Sequence, residues 1–519
     1  MLIKGLALPS NSRSCRDDIK LVKCGKISSI LKPLRVSLHR TLEAEPEKGF
    51  TKAINWRIGR KKKYILALGI IAVILISCFT FLSLKSNPKA NVILPQNNNS
   101  TTTPSPTAHP KPKSSPLPNI IRIISGINGA VQADTQPKPP GLIESSQGMN
   151  TTVWTEVAEN AWAFFKPGVG VDQVTGLPYA GGTGFKAFTD WDLGAYIQAV
   201  IDAQEIGVIP TNGTWGSDNR LNMVLSFLEN RPLNNTTGWP FWFYDATNGK
   251  GYLENSTYAS DGVDVVDTGK LLVALSNLIN YNSSLTTRID SLVWNVNQNR
   301  SNYASLLPII KNNSGSNSLY AYYCWTGFES FWPQQDNIPN QIMTNISNSS
   351  TISTYNITLP DTPITCEPLL MSIFELNNSH PELTSLIKEV YQASEAYYEA
   401  TGSYAAFSEG SSPGNGYVYE WVVAPNGSTW QITNSSMYYY NGMNPVIFYK
   451  VAFGFLALYN TTFARSMVTS LEQALPTPTN GYFDGMDTGK SLDAGSPGSD
   501  TNSLILDAAL YYIQNNPDS

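Results

Sequence analysis

Residues 64–84 (YILALGIIAVILISCFTFLSL) run for 21 positions without one charged side chain, and no other feature constrains this chain more. At about 1.5 Å rise per residue the run covers the roughly 30 Å hydrocarbon layer of a bilayer, so it predicts a transmembrane helix. It lies too far from the N-terminus, is too long and lacks the small-residue cleavage site of a removable signal peptide, which makes it an uncleaved anchor. Arg57, Arg60, Lys61, Lys62 and Lys63 abut its N-terminal side, against Lys85 and Lys89 beyond it. Positive charge is retained inside. The expected protein is a single-pass cell-membrane protein with its N-terminus in the cytoplasm and its C-terminal domain extracellular. The N-x-S/T glycosylation acceptors agree: Asn150, Asn212, Asn255, Asn345, Asn356, Asn426 and Asn460 are among those beyond the run, and none precedes it.

Composition divides the rest. Residues 1–63 carry 16 Lys/Arg against 5 Asp/Glu and read as a basic cytoplasmic tail. Residues 85–146 are dominated by Ser, Thr, Pro and Asn, with too few large apolar side chains to offset ordering entropy, and read as a stalk. Residues 147–519 hold the apolar and aromatic segments of a folded domain. Of the chain's 35 Lys/Arg and 40 Asp/Glu, 19 and 35 fall after residue 63, a net charge of −16 that argues against a nucleic-acid partner. Charged residues make up only 14% of the chain, against about 25% in ordinary soluble proteins, which suggests acid tolerance outside the cell. Cys324 and Cys366 are the two cysteines beyond the run, and an oxidising exterior makes a bridge between them plausible.

Helical spacing dominates the domain. The clearest segments are VWTEVAENAWAFF, WDLGAYIQAVIDAQEIG, RLNMVLSFLEN, VVDTGKLLVALSNLI, LTTRIDSLVWNVNQ, PLLMSIFELN, ELTSLIKEVYQASEAYYEATG, PVIFYKVAFGFLALY, ARSMVTSLEQAL and DTNSLILDAALYYIQ. With hardly any alternating strand pattern, they predict an all-α domain whose length suits a ring of helical hairpins. Asp192, Asp267 and Asp500 each open such a helix. One instance is explained by capping; three suggest equivalent places in a repeated hairpin.

Three histidines, His39, His109 and His380, leave little room for Ser-His-Asp chemistry or a multi-histidine metal site. No phosphate loop, dinucleotide fingerprint or CxxC is present, so no metal or cofactor is expected. Carboxylates and aromatics remain, the equipment for a glycosidic bond: rings stack on sugars while two carboxyls act as acid and base. Trp191, Trp242, Trp325, Tyr417, Trp421 and Trp430 are the candidate sugar-stacking residues. The ordered blocks TGLPYA, TDWDLGAYIQAVIDAQEIGVI, VVDTGKLLVAL, TCEP, EATG before SYAAFSEG, and SDTNSLILDAAL resemble a glycosidase-like family of unknown function grouped with the six-hairpin, glucoamylase-like superfamily. The resemblance covers most of residues 152–515. It implies an (α/α)6 toroid with a funnel at one end, and brings no established substrate.

Glu367, in Thr-Cys-Glu-Pro at a loop-to-helix junction, and Glu409, before a Gly-rich loop and an aromatic run, are the first candidates for the catalytic pair. Asp192 and Asp267, each also explicable as a helix cap, are candidates for orienting substrate or water; Glu329, Asp261 and Asp264 stand in reserve. The expected function is a membrane-anchored extracellular glycoside hydrolase or transglycosylase acting on a polysaccharide or glycan. The alternative is a non-catalytic surface protein that binds glycans or builds an envelope. A polysaccharide lyase ranks third for want of a suitable base.

Overall fold

The structure, a computed structural model, describes residues 141–517 apart from 147, 252–262, 295–301, 335–336, 377–378, 413–414, 476–478, 490–491 and 495–496. The expected cytoplasmic tail, the expected transmembrane helix and the expected stalk up to residue 140 lie outside the described residues. Among those described, no helix is long and apolar enough to cross a membrane.

Twelve described helices of nine residues or more follow one another: α1 (Thr151–Trp162), α2 (Asp190–Ile206), α3 (Ser217–Asn230), α4 (Val265–Tyr281), α5 (Thr286–Trp294), α6 (Leu319–Phe331), α7 (Ile338–Ser347), α8 (Cys366–Phe374), α9 (Pro381–Thr401), α10 (Tyr449–Tyr459), α11 (Thr462–Ala474) and α12 (Ser499–Asn515). Their packing alternates. The even-numbered helices touch in a closed cycle, α2 to α4 to α6 to α8 to α10 to α12 and back to α2. Each odd-numbered helix lies outside this cycle against one or two of its members: α1 on α12 and α2, α3 on α2, α5 on α4, α7 on α6, α9 on α8, α11 on α10. This is the ring of six helical hairpins that the helix count and the resemblance lead one to expect.

The sequence explains the two rings. Inner helices are apolar all round, as in YKVAFGFLALY of α10, because they are covered on both sides; the outer α11 keeps one apolar stripe, Phe463, Ala464, Met467, Val468 and Leu471. Glycine lets the inner helices approach. A Cβ on Gly269 of α4 would stand 2.5 Å from the Cys324 Cβ of α6, and one on Gly327 would meet the Gly269 carbonyl at 2.2 Å. The small residue that follows Asp267 is thus an interhelical contact. Side-chain caps fix several starts: Asn150 accepts from Val153 N at 3.0 Å, Ser318 from Ala321 N, and Asp264 from Val266 N and Asp267 N.

Four expectations need correction. Helices α6 and α7 are absent from the sequence reading, since LYAYYCWTGFESF has strand-like aromatic composition and IPNQIMTNIS is rich in Pro and Asn; burial on two sides overrides the first, and the one apolar stripe Ile338, Ile342, Met343 and Ile346 packed on α6 overrides the second. The domain is also not free of strands: β1 (Glu409–Ser412), β2 (Gly416–Val423) and β3 (Thr429–Asn434) form an antiparallel sheet in the α9–α10 connection. A second sheet pairs β4 (Val446–Phe448) with β5 (Gly485–Asp487). Cys324 and Cys366 are unpaired and each is buried. Lastly, the folded unit begins earlier than 147: Ile143 is 2% exposed, and its amide donates to the Glu472 carboxylate at 3.0 Å.

A polar layer occupies the interior of the inner ring. Lys270 of α4 donates to both oxygens of Glu375, at 2.5 and 2.7 Å, and the Tyr323 hydroxyl adds a third bond at 2.5 Å. Beside them lie two carboxyls, Asp202 of α2 and Asp507 of α12. Asp202 Oδ1 accepts from Gln198 Nε2 at 2.8 Å, whereas its Oδ2 and both Asp507 oxygens are buried out of reach of any donor, and the two carboxyls interact with each other.

Candidate active site

Connections that run from an outer to the next inner helix, such as 163–189, 231–264, 402–448 and 475–498, are long; those at the opposite end, such as 282–285 and 460–461, are short. All the long ones gather where the inner helices begin, which is where a scaffold carries function. Six helix N-termini also converge there, each a positive dipole end, with those of α2, α4 and α6 capped by side chains. First-turn positions of the inner helices hold Trp191 and Asp192 (α2), Asp267 (α4), Tyr320 (α6), Glu367 (α8), Lys450 (α10) and Asp500 (α12).

Lys450 organises this end. Its ammonium donates to Glu367 Oε2 and to Asp500 Oδ2. A cation in a helix's first turn opposes the dipole, and burial disfavours its charge; the Asp500 and Glu367 carboxyls nevertheless hold its proton more tightly than an ordinary lysine's. Asp500 Oδ1 accepts from the Trp191 indole at 3.0 Å, and the Asp500 side chain is 25% exposed. Burial would raise its pKa, yet Lys450 and the indole bring it below the ordinary value, so the group is ionised. Glu367 is fully buried; the Ser408 hydroxyl donates to its Oε2 at 2.9 Å, and its Oε1 has no partner. Burial first, then the Asp500 charge, raises Glu367 well above the carboxylate range against the pull of Lys450.

Glu409 opens β1, directly opposite Tyr419 of β2. Burial lifts its pKa to about 7; Lys450 opposes this, Asp500 adds to it, and the Tyr320 and Tyr419 hydroxyls moderate it. Alternation places Tyr417, Tyr419 and Trp421 on one face of β2, with ring centroids 5.7 and 6.0 Å apart along the row. Tyr417 at its outer end is 48% exposed and Trp421 at its inner end 5%. The sheet is fixed to the ring by Asp484, whose carboxylate accepts from Ser411 N at 3.0 Å and from the Thr501 hydroxyl at 2.9 Å.

Of the residues singled out from sequence, the fold brings together Glu367, Glu409, Trp191 and Tyr417, with Trp421 at the foot of the row. Asp192 stands beside them but its carboxylate is committed: Oδ2 accepts from Thr189 N in a capping box, and Oδ1 from the Ser499 hydroxyl at 2.6 Å. Burial lifts it to about 6. Asp267 is half-buried at the third position of α4, raised well above its ordinary value by burial and then by Asp264. Trp242 lies on the α3–α4 connection against Phe243, 5.1 Å between centroids. Two others are elsewhere. Trp325 packs in the core against Phe328, and Trp430 belongs to a cluster with Tyr397 and Phe407, its indole bonded to Thr354. His380 caps α9.

Sequence reasoning passed over Lys450 and took Asp500 only as a cap. A signal was there: Lys450 is the one charge in the apolar helix PVIFYKVAFGFLALY, as Lys270 is the one cation in VVDTGKLLVALSNLI. Buried cations need carboxylate partners.

A closed ring of alternating inner and outer helices, with acids and aromatics at the end formed by the inner N-termini, is the architecture of a six-hairpin toroid. The chain belongs to the family described as "Protein of unknown function (DUF3131)", whose profile matches residues 156–516. No curated protein matches the sequence. Among solved structures it is similar to the endo-beta-1,2-glucanase from Chitinophaga pinensis in complex with sophorotriose and glucose (14% identity, 70% of this chain and 93% of that one, TM-score 0.45). It is also similar to the endo-beta-1,2-glucanase from Talaromyces funiculosus in complex with sophorose (12%, 70% and 86%, TM-score 0.47), and to a D-mannose isomerase (12%, 70% and 98%, TM-score 0.44). Likenesses this distant carry no chemistry from those proteins to this chain.

Proposed function

We propose that this protein is a glycoside hydrolase or transglycosylase that acts on a polysaccharide or glycan, with Glu409 as general acid and Asp500 as the ionised partner. The observation that carries the reading is the pair's opposed environments: Glu409 at about 7 and Asp500 below its ordinary value, beside one lysine at the mouth of the ring. Acid and base roles are assigned by environments that drive two pKa values apart. Asp500 and Glu409 both keep some exposure whereas Glu367 has none, which favours the first two for contact with substrate. Trp191 and Tyr417 supply ring faces at the same mouth. The uncharged run 64–84 and the one-sided acceptors support an anchored, extracellular, glycosylated protein.

The test is a panel of glycans with a reducing-end assay on wild type, Glu409→Gln and Asp500→Asn. Turnover lost by orders of magnitude in both variants, without a fall in melting temperature for Glu409→Gln, supports the assignment. Binding of a glycan by all three without turnover would replace it with the surface-binding reading.

A further inference from the structure

Glu367 has the strongest sequence claim to be the second acid, and its surroundings give it another task. Its Oε2 accepts two hydrogen bonds, from the Ser408 hydroxyl and the Lys450 ammonium, while no donor reaches the buried Oε1. In an ionised carboxylate both oxygens share the charge, and leaving one dry and unsolvated is among the costliest arrangements a fold can hold. A neutral carboxyl with its proton on Oε1 removes most of that cost and leaves Oε2 as the acceptor both donors need.

Charge counting agrees. Around the one ammonium stand Glu367, Asp500 and Glu409, with Asp192 behind Asp500, Asp267 on α4, Asp484 beneath β1, and the Tyr320, Tyr417 and Tyr419 hydroxyls facing Glu409. One cation cannot hold three adjacent carboxylates ionised. Asp500 has both a second donor, the Trp191 indole, and access to solvent, so the negative charge settles there.

We propose that Glu367 is a positioning residue: as a neutral carboxyl it acts with Ser408 to orient the Lys450 ammonium onto Asp500, so that Asp500 stays ionised for the reaction. The effect on catalysis rests on the hydrolase reading; the neutral state of Glu367 does not.

Two measurements on the full-length protein separate these claims. Infrared difference spectra of wild type minus Glu367→Gln, from about pH 4 to about pH 8, should show loss of a protonated-carboxyl stretch throughout. Loss of a carboxylate band at neutral pH overturns the proposal whether or not any substrate is known. With a turned-over glycan in hand, Glu367→Leu should lower kcat about hundredfold through misplaced Lys450, with KM little changed, and Glu367→Gln should restore most of that loss. Lys450→Met should move the acidic limb of the kcat/KM profile to higher pH. A Gln variant as inactive as Glu409→Gln would make Glu367 a catalytic acid and refute the positioning role; should the Leu variant not fold, the Gln variant and its spectrum still decide.

Discussion

Asp202 and Asp507 make an unusual demand on the fold, since two buried carboxyls lie together with three oxygens unmatched. Burial raises both, Asp202 to about 7 from an ordinary 3.8. Lys270 is the cation beside them and is already held by Glu375; Glu205 adds a distant negative charge. The linkage sign follows from the direction of the shift. An acid whose pKa is higher in the folded state stabilises the fold fully below its unfolded value and loses that contribution as pH rises through the folded value. The window for Asp202 therefore runs from about 4 to about 7. At about 1.4 kcal/mol per unit, the contribution lost is on the order of 3 to 4 kcal/mol, shared with Asp507. Asp202→Asn mimics the protonated form: its amide oxygen still accepts from Gln198, and its amide hydrogens face Asp507. For the 141–517 span, an unfolding entropy of about 0.8 kcal/mol per degree converts the loss to about 4 °C. Calorimetry should find the melting temperature of wild type falling between pH 4 and 8, and the Asn variant melting about 4 °C above wild type at pH 8 but close to it at pH 4. An Asn variant less stable than wild type at pH 8 would refute the claim that ionising this buried acid costs the fold stability. The low charge content noted in the sequence and these buried acids both point to a fold at home in acid.

Asp192→Ala should lower stability by about 1 to 2 kcal/mol, since it removes the capping box and the tie to Ser499; an unchanged denaturant midpoint would contradict this. Glu409→Gln should abolish the basic limb near pH 7 in the pH profile of any measured turnover, because the group that titrates there is gone. A chain beginning at Gly141 should melt above one beginning at Gly148, which lacks the buried Ile143 and its bond to Glu472; equal melting would assign those residues no share in the fold. Protease added to intact cells should release the domain and leave a small membrane-bound fragment, and protection of the domain would reverse the topology.

Much of the fold was legible in the chain. Ten of the twelve helices follow from their apolar pattern, a stripe every three or four positions in the outer helices and a near-continuous apolar run in the inner ones. Of the three helix-opening acids, Asp192 and Asp267 do hold equivalent places, each third in an inner helix and each followed two residues on by a glycine that meets a neighbouring inner helix, whereas Asp500 stands second in α12 and is followed by Thr-Asn. Helix α6 escaped because its run of aromatics (LYAYYCW) favours a strand by composition. The β1–β3 sheet escaped because its strands are short and its aromatics read as loop.

Local pattern thus determined the class of fold and pointed to carboxylates and aromatics, Glu367, Glu409 and Trp191 among them, that the fold brings to one end of the ring. Only the tertiary structure decided which acids share a cation, since Glu367, Lys450 and Asp500 are separated by 83 and 50 residues and meet because the ring closes. It also decided protonation. Whether a carboxyl is an acid, a base or a strut depends on burial and on the donors that reach it, and those are properties of neighbours that the linear order does not contain.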